Sequence, residues 1–228
     1  MRLPPNAVDD PRLRERRHVF GDRVDAGAAL ARLLERHRDR DAVVLAIPAG
    51  GAAVGRAVAA ALGLPLDVAV VSKITLPWDT EAGYGAVAFD GTVRLNRPLI
   101  DRLGLRDDQI AEGLARTRAR VEGRVRALRG DRPMPRLAGR PCLVVDDGLA
   151  SGFTMRVAVA ALRAAGATEI VVAVPTGHLD SVVQLAGEVA EVACSNVRSG
   201  LRFAVAEAYE QWRDVDDAEL VDLLRAGD

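Results

Sequence analysis

Short, mainly apolar runs recur along the chain at Val43–Ile47, Leu66–Val71, Cys142–Val145, Ile170–Pro175 and Val189–Cys194. They are too short for amphipathic helices and carry little alternation, which is the pattern of parallel strands buried on both faces. Longer stretches with helical periodicity separate them: Ala26–His37, Ala52–Leu62, Asp107–Leu128, Met155–Ala165 and a further helix running to Glu188. Asp25 is the expected N-cap of the first, and Gly166 the stop of the fourth. Strand alternating with helix predicts an α/β chain, a doubly wound and mostly parallel sheet. Ala86–Asn96 reads as a β-hairpin about Asp90-Gly91. Residues 74–85 read as a polar loop carrying Trp78 and Tyr84, Pro98–Leu103 as a helical turn, and 130–140 as a Pro-rich connection. Residues 1–17 are an Arg-rich arm. The tail from Asn196 ends in a short acidic helix from Asp216. The whole of 1–228 reads as one domain.

The richest chemistry lies at Cys142–Thr154, C-L-V-V-D-D-G-L-A-S-G-F-T. An apolar strand ends in Asp146 and Asp147, a loop of small residues follows, and a helix opens at Thr154. In open α/β sheets ligands bind at the carboxyl ends of strands. A Gly-rich loop before a helix presents backbone N–H groups to an anion. Two carboxylates on the same spot repel a polyphosphate but suit sugar hydroxyls. The ligand implied is a sugar phosphate. A dinucleotide reading of Gly50, Gly51 and Gly55 fails, because the spacing is GGxxxG and no acid ends the next strand. A serine hydrolase built on Ser151 and His178 fails as well, because position 150 of the would-be elbow is Ala.

V-V-D-D-G-L-A-S-G-F-T-M resembles the PRPP-binding motif of the type I phosphoribosyltransferases, with Ser151-Gly152-Phe153-Thr154 in place of T-G-x-T. The run S-K-I-T-L-P-W-D-T-E-A-G-Y-G-A-V-A-F-D-G resembles uncharacterised phosphoribosyltransferase-domain proteins. The resemblance implies the type I phosphoribosyltransferase fold, with a flexible lid at 74–97 and a small hood built by the arm and the 196–228 tail. Gly148, Leu149, Ala150, Ser151, Gly152, Phe153 and Thr154 would hold the 5′-phosphate. Asp146 and Asp147 would hold the ribose diol and contact Mg²⁺. Ala49, Gly50 and Gly51 match the pyrophosphate loop, where many members carry a cation in place of Ala49; a non-proline cis bond in this loop would fall at Pro48–Ala49. Lys73, just past the second strand, and Ser72 beside it would face the leaving group, and Glu81 matches an acid of the subfamily pattern. Phe203 or Tyr209 would stack on a flat acceptor base.

Composition narrows the classes. Lys and Arg total 31, and Lys73 is the one lysine, so its position marks a place for a compact point charge. A net charge of −1, and arginines at 116–129 interspersed with acids and free of aromatics, argue against a nucleic-acid or membrane partner. Cys142 and Cys194 lie in apolar runs, as buried thiols of a reducing cytoplasm do. No secretory signal is visible at the Arg-rich start. The implied activity is Mg²⁺-dependent transfer of the phosphoribosyl group from PRPP to an unidentified nitrogen acceptor, by a homodimer. The alternative is a non-catalytic PRPP-binding regulator on the same fold.

Overall fold

Apolar runs with no polar side to show become the middle of one sheet. The computed structural model describes residues 2–213, 215 and 217–225, and the side chains among them except those of Thr80, Glu81, Asp217, Ala218, Leu223 and Arg225. Its strands β1 (Ala7–Val8), β2 (Val43–Ala46), β3 (Leu66–Val68), β7 (Pro141–Val145), β8 (Glu169–His178) and β9 (Glu191–Arg198) form a six-stranded sheet in the order β1-β9-β8-β7-β2-β3. Every pairing is parallel. All residues of β2 and β7 are buried, and the two lie side by side with Ala46 opposite Val145.

Side chains alternate across the strands, so β7 feeds both layers. Leu143 and Val145 pack with Leu30, Val54, Val58 and Leu62 of α1 (Arg23–Leu33) and α2 (Gly50–Leu62). Val144 packs with Met155, Val159, Leu162, Val182 and Leu185 of α5 (Phe153–Ala164) and α6 (Leu179–Ala186). From β2 the chain proceeds outward through α2 to β3. From β7 it proceeds the other way, through α5 to β8. The winding therefore reverses between β2 and β7, and a crevice opens at their carboxyl ends.

Beyond β3 the reading needs correction. The parallel strand stops at Val68, not Val71. The chain then leaves the carboxyl edge as β4 (Val71–Leu76), and turns at Pro77-Trp78 into β5 (Asp79–Ala88) and β6 (Val93–Leu95) to form a three-stranded antiparallel sheet. The stretch expected to be a polar loop is therefore strand, with register shifts either side of Thr75. Tyr84 is core rather than lid. It is 1% exposed and packs with Ile74, Val87, Ile110 and Val121 against α4 (Asp107–Arg129). A Cβ at Gly113 would overlap its hydroxyl. Trp78, at the turn, is exposed. Helix α3 (Arg97–Leu103) links this sheet to α4. Arg129 closes the outer edge of β3, donating to the Val68 carbonyl at 2.7 Å and facing Asp67 at 3.2 Å.

Helix α1 and its cap begin three residues earlier than expected. Asp22, not Asp25, accepts the Val24 and Asp25 N–H groups, and Asp25 instead accepts from Gly21. The arm divides. β1 extends the sheet beside β9, and Asn6 donates to the carbonyls of Ala186 and Val189. Residues 18–21, just past the arm, hydrogen-bond to 207–211, and Phe20 and Tyr209 pack with Ala26, Ala29 and Ala208. Helix α7 (Asp217–Arg225) joins the hairpin core through Leu220 and Leu224. Both cysteines are free and buried, and burial pushes the Cys142 thiol up to about 11. Among the described residues no helix is long and apolar enough to cross a membrane.

Candidate functional site

Two loops meet in the crevice between β2 and β7. The first, after β7, starts with the acids. The Asp147 N–H donates to Asp146 Oδ1 at 2.8 Å. Leu149 then drops into the core, its N–H on the Thr176 carbonyl and its C=O receiving the His178 N–H, both at 2.9 Å. Ser181 donates to the Ala150 carbonyl. Ala150 and Ser151 are left exposed between these anchors. Gly152 turns the chain into α5 at φ +69, a left-handed conformation that suits glycine.

The second loop, after β2, is Pro48-Ala49-Gly50-Gly51, with the cis bond at Pro48–Ala49. Its glycines are dictated by the acids. A Cβ at Gly50 would overlap the Asp147 carboxylate, and one at Gly51 would lie 2.7 Å from the Val145 carbonyl and 2.9 Å from Asp146 Cα. The loops are thus packed against each other at backbone distance.

Helix capping separates these two loops from other helix starts. Side chains of Asp22, Asn96 and His178 accept N–H groups at the starts of α1, α3 and α6. Gln109 reaches back to the Arg106 N–H at α4. Helices α2 and α5 begin at Ala49 and Gly152 with no side-chain cap. At α2 the Gly51 and Ala52 N–H groups are on the Ile47 and Ala49 carbonyls, and at α5 the Phe153 N–H meets Ser151 Oγ at 3.4 Å. The other first-turn N–H groups and the helix dipole favour an anion at both ends. Two such termini stand at one crevice, with two carboxylates between them.

The acid pair is half-buried. Burial and the neighbouring Asp147 charge push Asp146 well above the usual carboxylate range. Burial also raises Asp147, against the pull of Arg23. Arg23, at the first turn of α1, donates from Nε and Nη2 to Asp147 Oδ2 at 3.0 and 2.8 Å. No sequence signal distinguishes it among so many arginines, because its partner is 124 positions away. Tyr209 donates its hydroxyl to the Asp147 carbonyl at 2.5 Å and is 2% exposed, so its ring is not free to stack on a base, contrary to the expectation. Burial, followed by the Asp147 charge, holds its phenol protonated well above the ordinary range. Phe203 lies against the His178 and Arg198 side chains instead. The tail aromatic on an open cleft is Trp212, which with Asp22, Arg23, Ala53, Gln211 and Glu219 lines a space of about 380 Å³.

The remaining candidates lie on β4, β5 and the start of α5. Lys73 is not past a strand end. It is exposed on β4, opposite Ala86 and against Gly83. Ser72 is buried, and Phe153 and Thr154 are the first residues of α5. Glu81 lies outside the described side chains. Among the described residues no three His, Cys, Asp or Glu side chains cluster as a metal site. Asp146 and Asp147 therefore offer two carboxylates, one of them already on Arg23. That set fits a hard cation brought by phosphate oxygens better than one caged by protein.

Residues 89–207 match the family model of the phosphoribosyl transferase domain. Two Mycobacterium tuberculosis proteins, from strains CDC 1551 and H37Rv and each provisionally named a phosphoribosyl transferase, are 38% identical over 208 residues, 90% of this chain and 46% of theirs. The chain thus spans about half the length of the curated relatives it matches. The crystal structure of TT1426 from Thermus thermophilus is similar at 32% identity and a TM-score of 0.73, over 91% of this chain and 98% of that one.

Proposed function

Because this chain belongs to the phosphoribosyl transferase domain family, we propose that it transfers the 5-phosphoribosyl group of PRPP to a nitrogen acceptor and releases pyrophosphate. One observation carries the reading: two helix N-termini whose cap residues bring no side chain converge on a half-buried pair of adjacent carboxylates at the point where the sheet reverses its winding. A ligand with a phosphate at each end and a diol between matches that order of groups.

In this reading the backbone of Gly148–Thr154, with the Ser151 and Thr154 hydroxyls, binds the 5′-phosphate. Asp146 and Asp147 accept from the ribose hydroxyls. The Ala49–Gly51 backbone takes the pyrophosphate, through the Ala49 and Gly50 N–H groups, since that of Gly51 is on the Ile47 carbonyl. Lys73 is the candidate cation for the leaving group, and Ser72 and Glu81 are assigned to the same end. The acceptor nitrogen bonds to C1 as the C1–oxygen bond breaks, and the electron pair leaves with pyrophosphate. The chain's contribution is to hold the two ends apart and in line, and to place N–H dipoles where negative charge grows. Mg²⁺ carried on the phosphates, with Asp146 or Asp147 at its side, would neutralise charge on the leaving group. The turn between β4 and β5, where Trp78 is exposed, would serve as the lid that keeps water from the reacting carbon. The resemblance adds a single domain, a homodimer, and a cytoplasmic setting in nucleotide metabolism.

A specific residue favours the regulator as second reading: Ala49 gives the pyrophosphate loop no cation. The deciding assay is pyrophosphate release from PRPP and Mg²⁺, with and without pooled nucleobases and small amines. Acceptor-dependent release is the expected result. PRPP binding without release in every pool would favour the regulator.

A further inference from the structure

A buried guanidinium is a costly way to fasten a tail, since apolar contacts hold such segments at least as well. Arg23 is nonetheless 8% exposed and bound on every side. Nε and Nη2 converge on Asp147 Oδ2, Nη1 donates to the Arg213 carbonyl at 2.6 Å, and the plane lies 4.0 Å from the centre of the Trp212 ring. Tyr209 holds the same acid by its backbone carbonyl and packs its ring 5.2 Å from Trp212. Residues 209–213 therefore grip Asp147 twice, once through Tyr209 and once through Arg23. Only the second grip touches the carboxylate. Both of its N–H groups fall on Oδ2, the carboxylate oxygen nearest Gly50 of the facing loop.

We propose that Arg23 is a positioning residue: it fixes the Asp147 carboxylate for the ribose hydroxyls and ties that seating to Trp212 and the cleft beside it. The inference rests on the phosphoribosyl transfer reading and adds a residue and a coupling to it. A ribose diol that engages Asp147 moves the guanidinium, and the guanidinium moves the indole stacked on it. A planar fork makes this link where an ammonium would not, because it spans the carboxylate, the carbonyl and the ring face at once.

The test follows Trp212 emission in a Trp78→Phe background, where Trp212 is the one tryptophan. Added PRPP and Mg²⁺ should shift the emission. Arg23→Gln should weaken PRPP binding, measured by equilibrium dialysis, at least tenfold and abolish the shift at saturation. Arg23→Lys should recover part of the affinity and little of the shift. A purely structural role would lower the melting temperature and the active fraction while leaving the KM for PRPP unmoved. PRPP bound with no change in Trp212 emission overturns the coupling even if Arg23→Gln does not fold. Unchanged or tighter binding by Arg23→Gln would show that Arg23 obstructs the ribose site rather than ordering it. Failure of PRPP to bind the unsubstituted protein at all would instead sink the transfer reading.

Discussion

The two loops of the crevice solve one problem with different means. Both end central, fully buried strands, and both open a helix with no side-chain cap. The Asp146–Thr154 loop is rich in side-chain chemistry and tied to its neighbours by Leu149 and Ser181. The Pro48–Gly51 loop has no hydroxyl, charge or amide in its side chains, and what it offers is backbone. Its glycines answer to the other loop, because any Cβ at Gly50 meets Asp147. An anion site can thus be built from a motif or from an empty space shaped by the motif opposite.

The contrast breaks most severely at Gly50. Gly50→Val should push Asp147 aside and cost about a hundredfold or more in turnover, as misplacement of a positioned group by an ångström does. The reading on PRPP-dependent pyrophosphate release would be near background, with a cooperative melt retained. Next is Asp147→Asn, which keeps the shape but loses the charge facing Arg23. PRPP affinity should fall by tens-fold, about 2 kcal/mol of charge-assisted bonding, and unchanged turnover would refute the assignment of Asp147 to the ribose. Gly152→Ala attacks the richer loop through its backbone. A side chain at φ +69 costs about 1–2 kcal/mol, to be seen as a lower denaturation midpoint and a raised KM for PRPP. The smallest effect lies away from both loops. His37 is 2% exposed, and burial first, then Arg36 and Arg40, depress its pKa. The unfolded imidazole binds a proton below about pH 6.5 while the folded one resists. Stability should therefore fall as pH drops from there toward the folded value, by at most about 1.4 kcal/mol per pH unit. A His37→Leu variant should flatten that slope.

The same contrast explains what the sequence disclosed. Cys142–Val145 was legible because a central parallel strand is apolar on both faces, and Asp146-Asp147 because paired acids before a small-residue loop have few other uses. Asp90-Gly91 announced its hairpin. The run from Ile74 to Gly85 did not look like strand, since Gly83 and Gly85 break the alternation. Both are there for close approach, Gly83 to Lys73 and Gly85 to the Arg94 carbonyl. That misreading puts Lys73 just past a strand end, where the structure has it within β4, and makes a lid residue of Tyr84, which the α4 contacts bury. Arg23 was invisible for another reason. Its value comes from partners at 147, 212 and 213, and a contact across the chain leaves no local pattern.

The central claim is that the two loops hold opposite ends of one ligand. It is tested most directly by binding of PRPP and of ribose 5-phosphate to the unsubstituted protein and to Ala49→Asp. A carboxylate at position 49 opposes an anion at the α2 terminus and leaves the other loop alone. The account predicts that PRPP affinity falls at least about tenfold, roughly the 1.4 kcal/mol of one lost anion contact, while ribose 5-phosphate binds as before. Equal loss for both ligands, or for neither, would contradict it.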